Sequence, residues 1–242
     1  MKHSTEERAA VDAALLRLNL EFDEETKDKL ITNLKLVIEK NNTLNLTRID
    51  SFAAAVILHL EDSLSIYPEF MHSAGAFCDI GTGGGFPGLP LGIASHRQGV
   101  LLDSVKKKAL AVQEFIDELG LVDQLQARGM RSEELCVELP ECFDTVVARA
   151  VDKLSVVEEY ASPLLAPGGH LVAMRGTEAP EDLKAAQTAS EQLGLELLDK
   201  RMFIIGPDEV PRSVYVYQKV GTPSIKLPRR PGVAHKKPLG YK

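Results

Sequence analysis

Five glycines fall within eight residues in the stretch Asp79-Ile80-Gly81-Thr82-Gly83-Gly84-Gly85-Phe86-Pro87-Gly88. One glycine suffices for a tight turn, whereas a run of them lets a ligand approach the backbone with no Cβ in between. Asp79 stands at the front of this run, and Asp103 follows Gly83 by 20 residues. A carboxylate at the end of the next strand of a doubly wound sheet accepts hydrogen bonds from ribose hydroxyls. The pattern therefore points to a cofactor that contains a nucleoside. Gly83, Gly85 and Gly88 satisfy the G-x-G-x-x-G spacing of nicotinamide enzymes. Asp79 with Gly81, Gly83 and Gly85 satisfies the other arrangement, an acid two residues before G-x-G-x-G, that S-adenosylmethionine enzymes prefer. An acid gains nothing beside a pyrophosphate and is attracted to a cationic sulfonium and amino group. Asp79 thus favours the methyl donor, with the dinucleotide as the alternative.

Val147-Ala148-Arg149-Ala150 closes the fourth expected strand, beside the glycine run. Methylation of an exocyclic amine calls for polar groups such as an Asn-Pro-Pro-aromatic run at this place, and pyrimidine C5 methylation calls for a cysteine nucleophile. Neither is present.

Other polar groups have competing readings. His59, Asp62 and Ser63 fall at i, i+3 and i+4 on one helix face, which suits a structural hydrogen-bond group, with RNA or donor contact as the alternative. Asn45 and Thr47 suit a brace at a helix junction. Lys106, Lys107 and Lys108 stand at a helix start, where the dipole disfavours each cation by about 0.3 kcal/mol or more; phosphate contact would offset that cost, and a solvated face is the alternative. Arg212, just before the last strand, reads equally as a substrate contact or an ordinary surface residue. Cys136 and Cys142 have no partners at a zinc spacing, so no metal is expected.

The elements that must position these groups follow from periodicity. The first 70 residues read as helical: Asp23-Glu24-Glu25 opens a helix in which Leu30, Leu34 and Ile38 recur every four residues, ending near Asn41-Asn42, and a second runs from Ser51 to Tyr67. From Ala76, strands alternate with helices. Strands are expected at Phe77–Ile80, Val100–Leu102, Gln124–Ala127, Phe143–Ala148, Leu171–Met174, Glu196–Ile205 and Val214–Lys219. Helices are expected from Pro87 to Ser95, Lys106 to Leu119, Leu154 to Leu165, and Pro180 to Leu193. This alternation implies an α/β fold with a mostly parallel sheet covered on both faces. The expected organisation is a helical extension over 1–70, a cofactor-binding domain over 71–220 and a basic, proline-rich tail over 221–242.

The chain has 242 residues, 44% hydrophobic and 26% charged, enough for a core without disulfide or metal support. Three cysteines suit a reducing cytoplasm. No apolar run approaches the roughly 18 residues of a membrane span, so no membrane partner is expected. The net charge is −7, yet the tail holds Lys226, Arg229, Arg230, Lys236, Lys237 and Lys242 and no acid, so the body is more acidic than the whole. With Pro223, Pro228, Pro231 and Pro238 the tail is expected to be extended, either a solubilising terminus or an arm for a polyanion.

Several segments together resemble the small-subunit ribosomal RNA methyltransferase G family, also called glucose-inhibited division protein B. Asn45-Leu46-Thr47 is similar to its N-L-T signature, His59 to Leu64 to H-x-x-D-S-L, and Asp79 to Leu91 (DIGTGGGFPGLPL) to its nucleotide loop, the most specific match. Leu102-Asp103-Ser104 with the following lysines resembles L-D-S-x-x-K-[KR], and Arg131 to Leu135 resembles R-A-E-E-L with Ser132 in place of alanine. Ala148 to Val151 resembles [ST]-R-A-V without the hydroxyl, and Pro228 to Gly232 resembles P-R-K-P-G. The resemblance spans about Leu30 to Leu239. It implies a class I, Rossmann-like S-adenosylmethionine-dependent methyltransferase whose seven-stranded sheet ends in an antiparallel strand, acting on N7 of a guanosine in 16S ribosomal RNA. A cytoplasmic monomer is expected, with that RNA or the small ribosomal subunit as partner. At matching positions, Gly81 and Phe86 would line the donor site, Asp103 and Ser104 meet its ribose, Ser132 and Glu133 lie by its adenine, and Arg149 border donor and target base, which makes Arg149 the residue expected to carry the reaction. The implied chemistry suits the local residues, since guanine N7 carries a free in-plane lone pair and needs no base, and arginine is a common partner of the guanine O6 and N7 edge or of a phosphate. Lys106, Lys107, Arg131, Arg212, Arg229 and Arg230 are the expected RNA contacts.

Overall fold

The computed structural model describes residues 3–241. Helix α1 (Thr5–Arg17) opens with a capping box in which Ser4 and Glu7 satisfy each other's backbone N–H. Helix α2 (Glu24–Leu44) starts at Asp23, whose carboxylate accepts from the Thr26 N–H, and ends where Asn45 turns left-handed. The expected helix from Ser51 to Tyr67 is broken into α3 (Phe52–Ala55), a π-helical turn (Val56–Glu61) and α4 (Asp62–Leu64). Helix α5 (Tyr67–Phe70) accepts Pro68 in its first turn, where the missing N–H has no partner to lose.

The remaining elements are β1 (Phe77–Ile80), α6 (Gly88–Ser95), β2 (Gly99–Leu102), α7 (Lys106–Glu118), β3 (Leu125–Arg128), α8 (Ser132–Glu138), β4 (Phe143–Arg149), α9 (Leu154–Ala161), β5 (Leu165–Arg175), α10 (Pro180–Leu193), β6 (Leu195–Ile205), β7 (Val210–Lys219) and α11 (Val233–Lys236). The sheet order is β3-β2-β1-β4-β5-β7-β6. Strands β3 to β5 pair in parallel, and β7 runs antiparallel between β5 and β6. The order reverses at β1, so the carboxyl ends of β1 and β4 flank the switch point where doubly wound sheets bind ligands.

Alternation along each strand divides the core. Phe77, Leu101, Val147, Val172 and Val214 face a layer containing Leu30, Leu34, Phe70 and Val112. Cys78, Ile80, Val146, Leu171 and Tyr215 face Leu154, Val157, Ala186 and Leu193. The N-terminal helices therefore complete one sheet face, which the doubly wound unit alone would leave half covered. Buried Arg97 pins this layer to the sheet, donating to the carbonyls of Phe70 (2.5 Å) and Gly75 (2.8 Å) and to Thr145 Oγ (2.9 Å). Arg201 reaches back from β6 to Glu69 at 2.7 Å.

Two expectations need correction. The helix expected to reach Leu165 stops at Ala161, because Leu165 pairs with Phe143 and begins β5, with a register shift before His170 rejoins the ladder. The tail is no extended arm. Ile225, Leu227 and Leu239 pack on the second core cluster, and the segment contains α11. Apolar residues between the prolines are what draw it onto the body.

Candidate functional site

Strand β1 delivers the glycine loop to the switch point. Gly81, Gly83 and Gly85 all take positive φ, at 72°, 59° and 97°. Two of them are held by packing: a Cβ on Gly85 would meet Leu89 Cδ1 at 2.5 Å, and one on Gly81 would meet Val151 Cγ2 at 2.8 Å. Gly83 differs, since its nearest neighbour to a built Cβ is the Gly81 carbonyl at 4.0 Å. Its open side is the surface a ligand can approach.

Asp79 lies beneath this loop and is fully buried. Its Oδ2 accepts from Thr82 Oγ (2.6 Å) and from the Gly88 N–H (2.8 Å), while Oδ1 has no partner. Burial raises its pKa to about 6, against the pull of those two donors. The structure thus makes Asp79 a brace of the loop, with Oδ1 left without a protein partner. Asp103, at the end of β2, ties down the other side of the loop. Its Oδ2 accepts from the Gly83 N–H (3.0 Å) and its Oδ1 from the Val105 N–H (2.8 Å). Each oxygen keeps a lone pair for a further donor.

Beside the loop, between the carboxyl ends of β2, β3 and β4, opens a cavity of about 440 Å³. Gly81, Ser104, Ser132 and Glu133 line it together with Met130, Tyr160 and Asp152. Ser132 Oγ donates to the Tyr160 carbonyl at 2.8 Å, so its hydroxyl is committed to holding α8 against α9. The opposite wall comes from the tail: Pro231, Gly232, His235 and Lys236. Local sequence carries no signal for Asp152, Tyr160 or His235, and the tail's P-R-R-P-G run suggested RNA rather than a cavity wall. A second hollow, about 430 Å³, lies at the amino ends of the strands beside Ala76, Gly99 and Leu125, away from the glycine loop.

Arg149 and Phe86 belong to a separate cluster on the far side of the loop. Phe86 is buried and stacks on His59 with centroids 4.2 Å apart and planes at 4°. The Arg149 guanidinium sits 5.5 Å from the Phe86 centroid. Arg149 Nη1 donates to the Leu58 carbonyl and to Asp62 Oδ2, both at 3.1 Å. Arg149 Nη2 lies 3.4 Å from His59 Nδ1, and His59 Nε2 lies 3.0 Å from Thr47 Oγ. Burial, with the Arg149 charge second, pushes the His59 pKa down to about 3, so the ring is neutral at pH 7. Arg212 Nε completes the cluster by donating to Asp62 Oδ1 at 2.9 Å. His59, Asp62 and Thr47, read from sequence mainly as bracing groups, are the residues that hold the expected reaction residue in place.

The other expected RNA contacts divide by their surroundings. Lys106, Lys107, Arg131 and Arg230 are exposed, and no acid pairs with their side chains among the described residues. Arg212 and Arg229 are committed, to Asp62 and to Glu159 respectively. Their guanidiniums are turned inward because the acidic body offers buried carboxylates.

A nucleoside-bearing methyl donor fits these residues: an accessible glycine turn, a buried carboxylate with spare lone pairs, and an adjoining cavity within the roughly 300–1,000 Å³ of small-molecule sites. The donor would be held by Gly81, Gly83, Asp103, Ser104, Ser132 and Glu133, and it supplies an electrophilic methyl group.

Comparisons with known proteins agree. Residues 26–204 match the family described as rRNA small subunit methyltransferase G, GidB. The ribosomal RNA small subunit methyltransferase G of Clostridium novyi is 33% identical over 233 residues, covering 95% of this chain and 96% of that protein. That of Carboxydothermus hydrogenoformans is 36% identical over 210 residues, covering 85% and 88%. Among solved structures, the Bacillus subtilis m1A22 tRNA methyltransferase TrmK aligns with a TM-score of 0.53 at 13% identity over 66% of each chain. The cyclase SpnF aligns with a TM-score of 0.55 at 15% identity, over 81% of this chain and 97% of its own. At such identities the two structures speak for the fold alone. Sequence, sheet order and glycine loop converge: the chain belongs to the rRNA small subunit methyltransferase G family and is an S-adenosylmethionine-dependent methyltransferase.

Proposed function

We propose that this enzyme methylates N7 of a guanosine in the 16S RNA of the small ribosomal subunit. The observation that carries the reading is the chemistry around Arg149. Among the described residues, the carboxyl end of β4 presents a guanidinium and no free general base: Asp62 is bound by two arginines, and His59 is neutral and engaged at both ring nitrogens. No thiol stands there either, since Cys78 and Cys136 are buried elsewhere and Cys142 precedes β4. Guanine N7 is an acceptor that such a site can serve. Its lone pair is free at pH 7, no proton leaves before transfer, and the residues need only align N7, methyl carbon and sulfur and exclude water. Arg149 positions the guanine edge or an adjoining phosphate, and Phe86, stacked on His59 with its ring centroid 5.5 Å from the Arg149 guanidinium, backs that side of the site.

Lys106, Lys107, Arg131 and Arg230 supply phosphate contacts around the cavity mouth. The enzyme acts as a cytoplasmic monomer. Among the described residues no helix is long and apolar enough to cross a membrane. The test is incubation of small-subunit RNA, and separately of small-subunit particles, with enzyme and donor, followed by chemical cleavage specific for N7-methylguanosine. One new cleavage site in the 16S RNA is expected. A methyl group on an exocyclic nitrogen or a pyrimidine carbon overturns the reading.

A further inference from the structure

The C-terminal segment is built into the body at every stage. Leaving β7, the Val220 and Gly221 N–H groups donate to the Gly194 carbonyl at 2.9 and 3.1 Å. Ile225, Leu227 and Leu239 pack into the second core cluster. Arg229 forms a two-pronged ion pair with Glu159, a carboxylate only 3% exposed, with Nε to Oε1 at 2.7 Å, and its Nη2 also donates to the Lys237 carbonyl at 3.1 Å. At the far end Tyr241 bonds to Asp182, and the Gly240 backbone lies so close to Ala185 that a Cβ there would meet its carbonyl oxygen at 2.1 Å.

What this anchoring presents is the cavity wall. Pro231, Gly232, His235 and Lys236 face Ser104, Ser132 and Glu133 across the opening. The Gly232 N–H donates to Glu133 Oε1 at 3.0 Å, fixing the side chain of a residue that is only 9% exposed, while Glu133 Oε2 receives no donor from the protein among the described residues. His235 Nδ1 lies 2.6 Å from Asp152 Oδ2, a second tie between tail and cavity. A solvated basic terminus would show none of this.

We propose that segment 221–241 is an integral wall of the methyl-donor cavity, and that the Arg229–Glu159 clamp, through Gly232, positions Glu133 for the bound donor. The inference rests on the reading of this cavity as the donor site. It assigns Arg229 to cofactor binding through positioning, a role opposite to the phosphate contact its motif suggested. It also implies that the wall orders further when the donor is present, because Glu133 Oε2 and the Gly232 turn share the same opening.

The test uses S-adenosylhomocysteine as probe. Calorimetric titration is run on the full chain, on Arg229→Ala, on Arg229→Lys and on a chain ending at residue 220. Hydrogen exchange across residues 228–237 is followed in the full chain with and without the probe. The expected result is tenfold or greater weakening for Arg229→Ala and for the shortened chain, partial recovery in Arg229→Lys, and slower exchange at 228–237 in the bound form. The exchange arm needs no variant to fold, so it decides the matter alone if the others unfold. Unchanged exchange at 228–237 on binding overturns the proposal while the donor-site reading stands, as does an Arg229→Ala chain that is folded and binds within twofold of the full chain. Absence of binding to the full chain overturns the donor-site reading itself and this proposal with it.

Discussion

Arg149 and Asp62 meet across 87 residues of sequence, Nη1 to Oδ2 at 3.1 Å, and the same carboxylate receives Arg212 Nε at 2.9 Å. One acid that is 5% exposed therefore holds two guanidiniums, one from β4 and one from β7, against the N-terminal helices. Asp62→Ala should cost about 3 kcal/mol of stability, the low end for breaking a buried pair because both arginines retain some solvent contact. Thermal melts of Asp62→Ala and Asp62→Asn measure this, and equal melting temperatures in both variants and the parent would refute the bridge.

Arg149→Lys keeps the charge and loses the fork that reaches Leu58, Asp62 and His59 together. Turnover should fall at least tenfold, the equivalent of about 1.4 kcal/mol in the barrier, with donor affinity changed far less. No new titration should enter the rate profile, since no proton transfer is assigned to the enzyme. Single-turnover rates from pH 6 to pH 9 are the measurement, and a new ionisation there would reveal a base.

Gly83 and Gly85 separate ligand space from packing space. Alanine at either pays for positive φ, about 1–2 kcal/mol, but only Gly85→Ala also drives a methyl group into Leu89. Gly83→Val should leave the fold intact and abolish donor binding, whereas Gly85→Ala should lower the melting temperature further than Gly83→Ala does. Calorimetry and melting curves on the three variants distinguish the outcomes, and full donor affinity in Gly83→Val would remove the loop from the site.

Asp103→Asn should weaken the donor by about 1.5–3 kcal/mol, the range for hydrogen bonds to a charged group. Part of the loss would come through the loop, because Asp103 holds the Gly83 N–H. Titration with S-adenosylhomocysteine is the check, and unchanged affinity would exclude the carboxylate from the site.

Stability should fall toward both ends of the pH range. The folded-state pKa of His59 is depressed to about 3, so its contribution is present above pH 6.5 and is lost as the pH drops toward 3. Glu158, fully buried with neither oxygen in a close hydrogen bond, is raised to about 8 by burial. Its contribution is full below about pH 4.5 and is lost as the pH rises through 8. Glu158→Gln should flatten the alkaline side and raise the melting temperature at pH 8 by roughly 2–4 °C, the shift that about 1 kcal/mol gives a domain of this size. An unaltered alkaline limb would place the titration elsewhere.

The groups that sequence could identify are those whose role is written in a few neighbouring residues. Positive φ at Gly81, Gly83 and Gly85, the start of α2 at Asp23 and the alternation of Phe77, Cys78, Asp79 and Ile80 are local consequences of backbone sterics, capping and the two-residue strand period. The seven strands were readable for the same reason, and α8 was missed because seven residues hold too few periods to signal a helix. Tertiary structure alone decided that Asp79 supports the loop from below, that Arg212 and Arg229 turn inward to Asp62 and Glu159, and that a proline-rich basic tail becomes a cavity wall. A charged side chain chooses between solvent and a carboxylate by which acid the topology brings within reach. For Arg212 and Arg229 those acids lie 150 and 70 residues away, so the choice depends on how α3, α4 and α9 dock on the sheet, which no local pattern encodes.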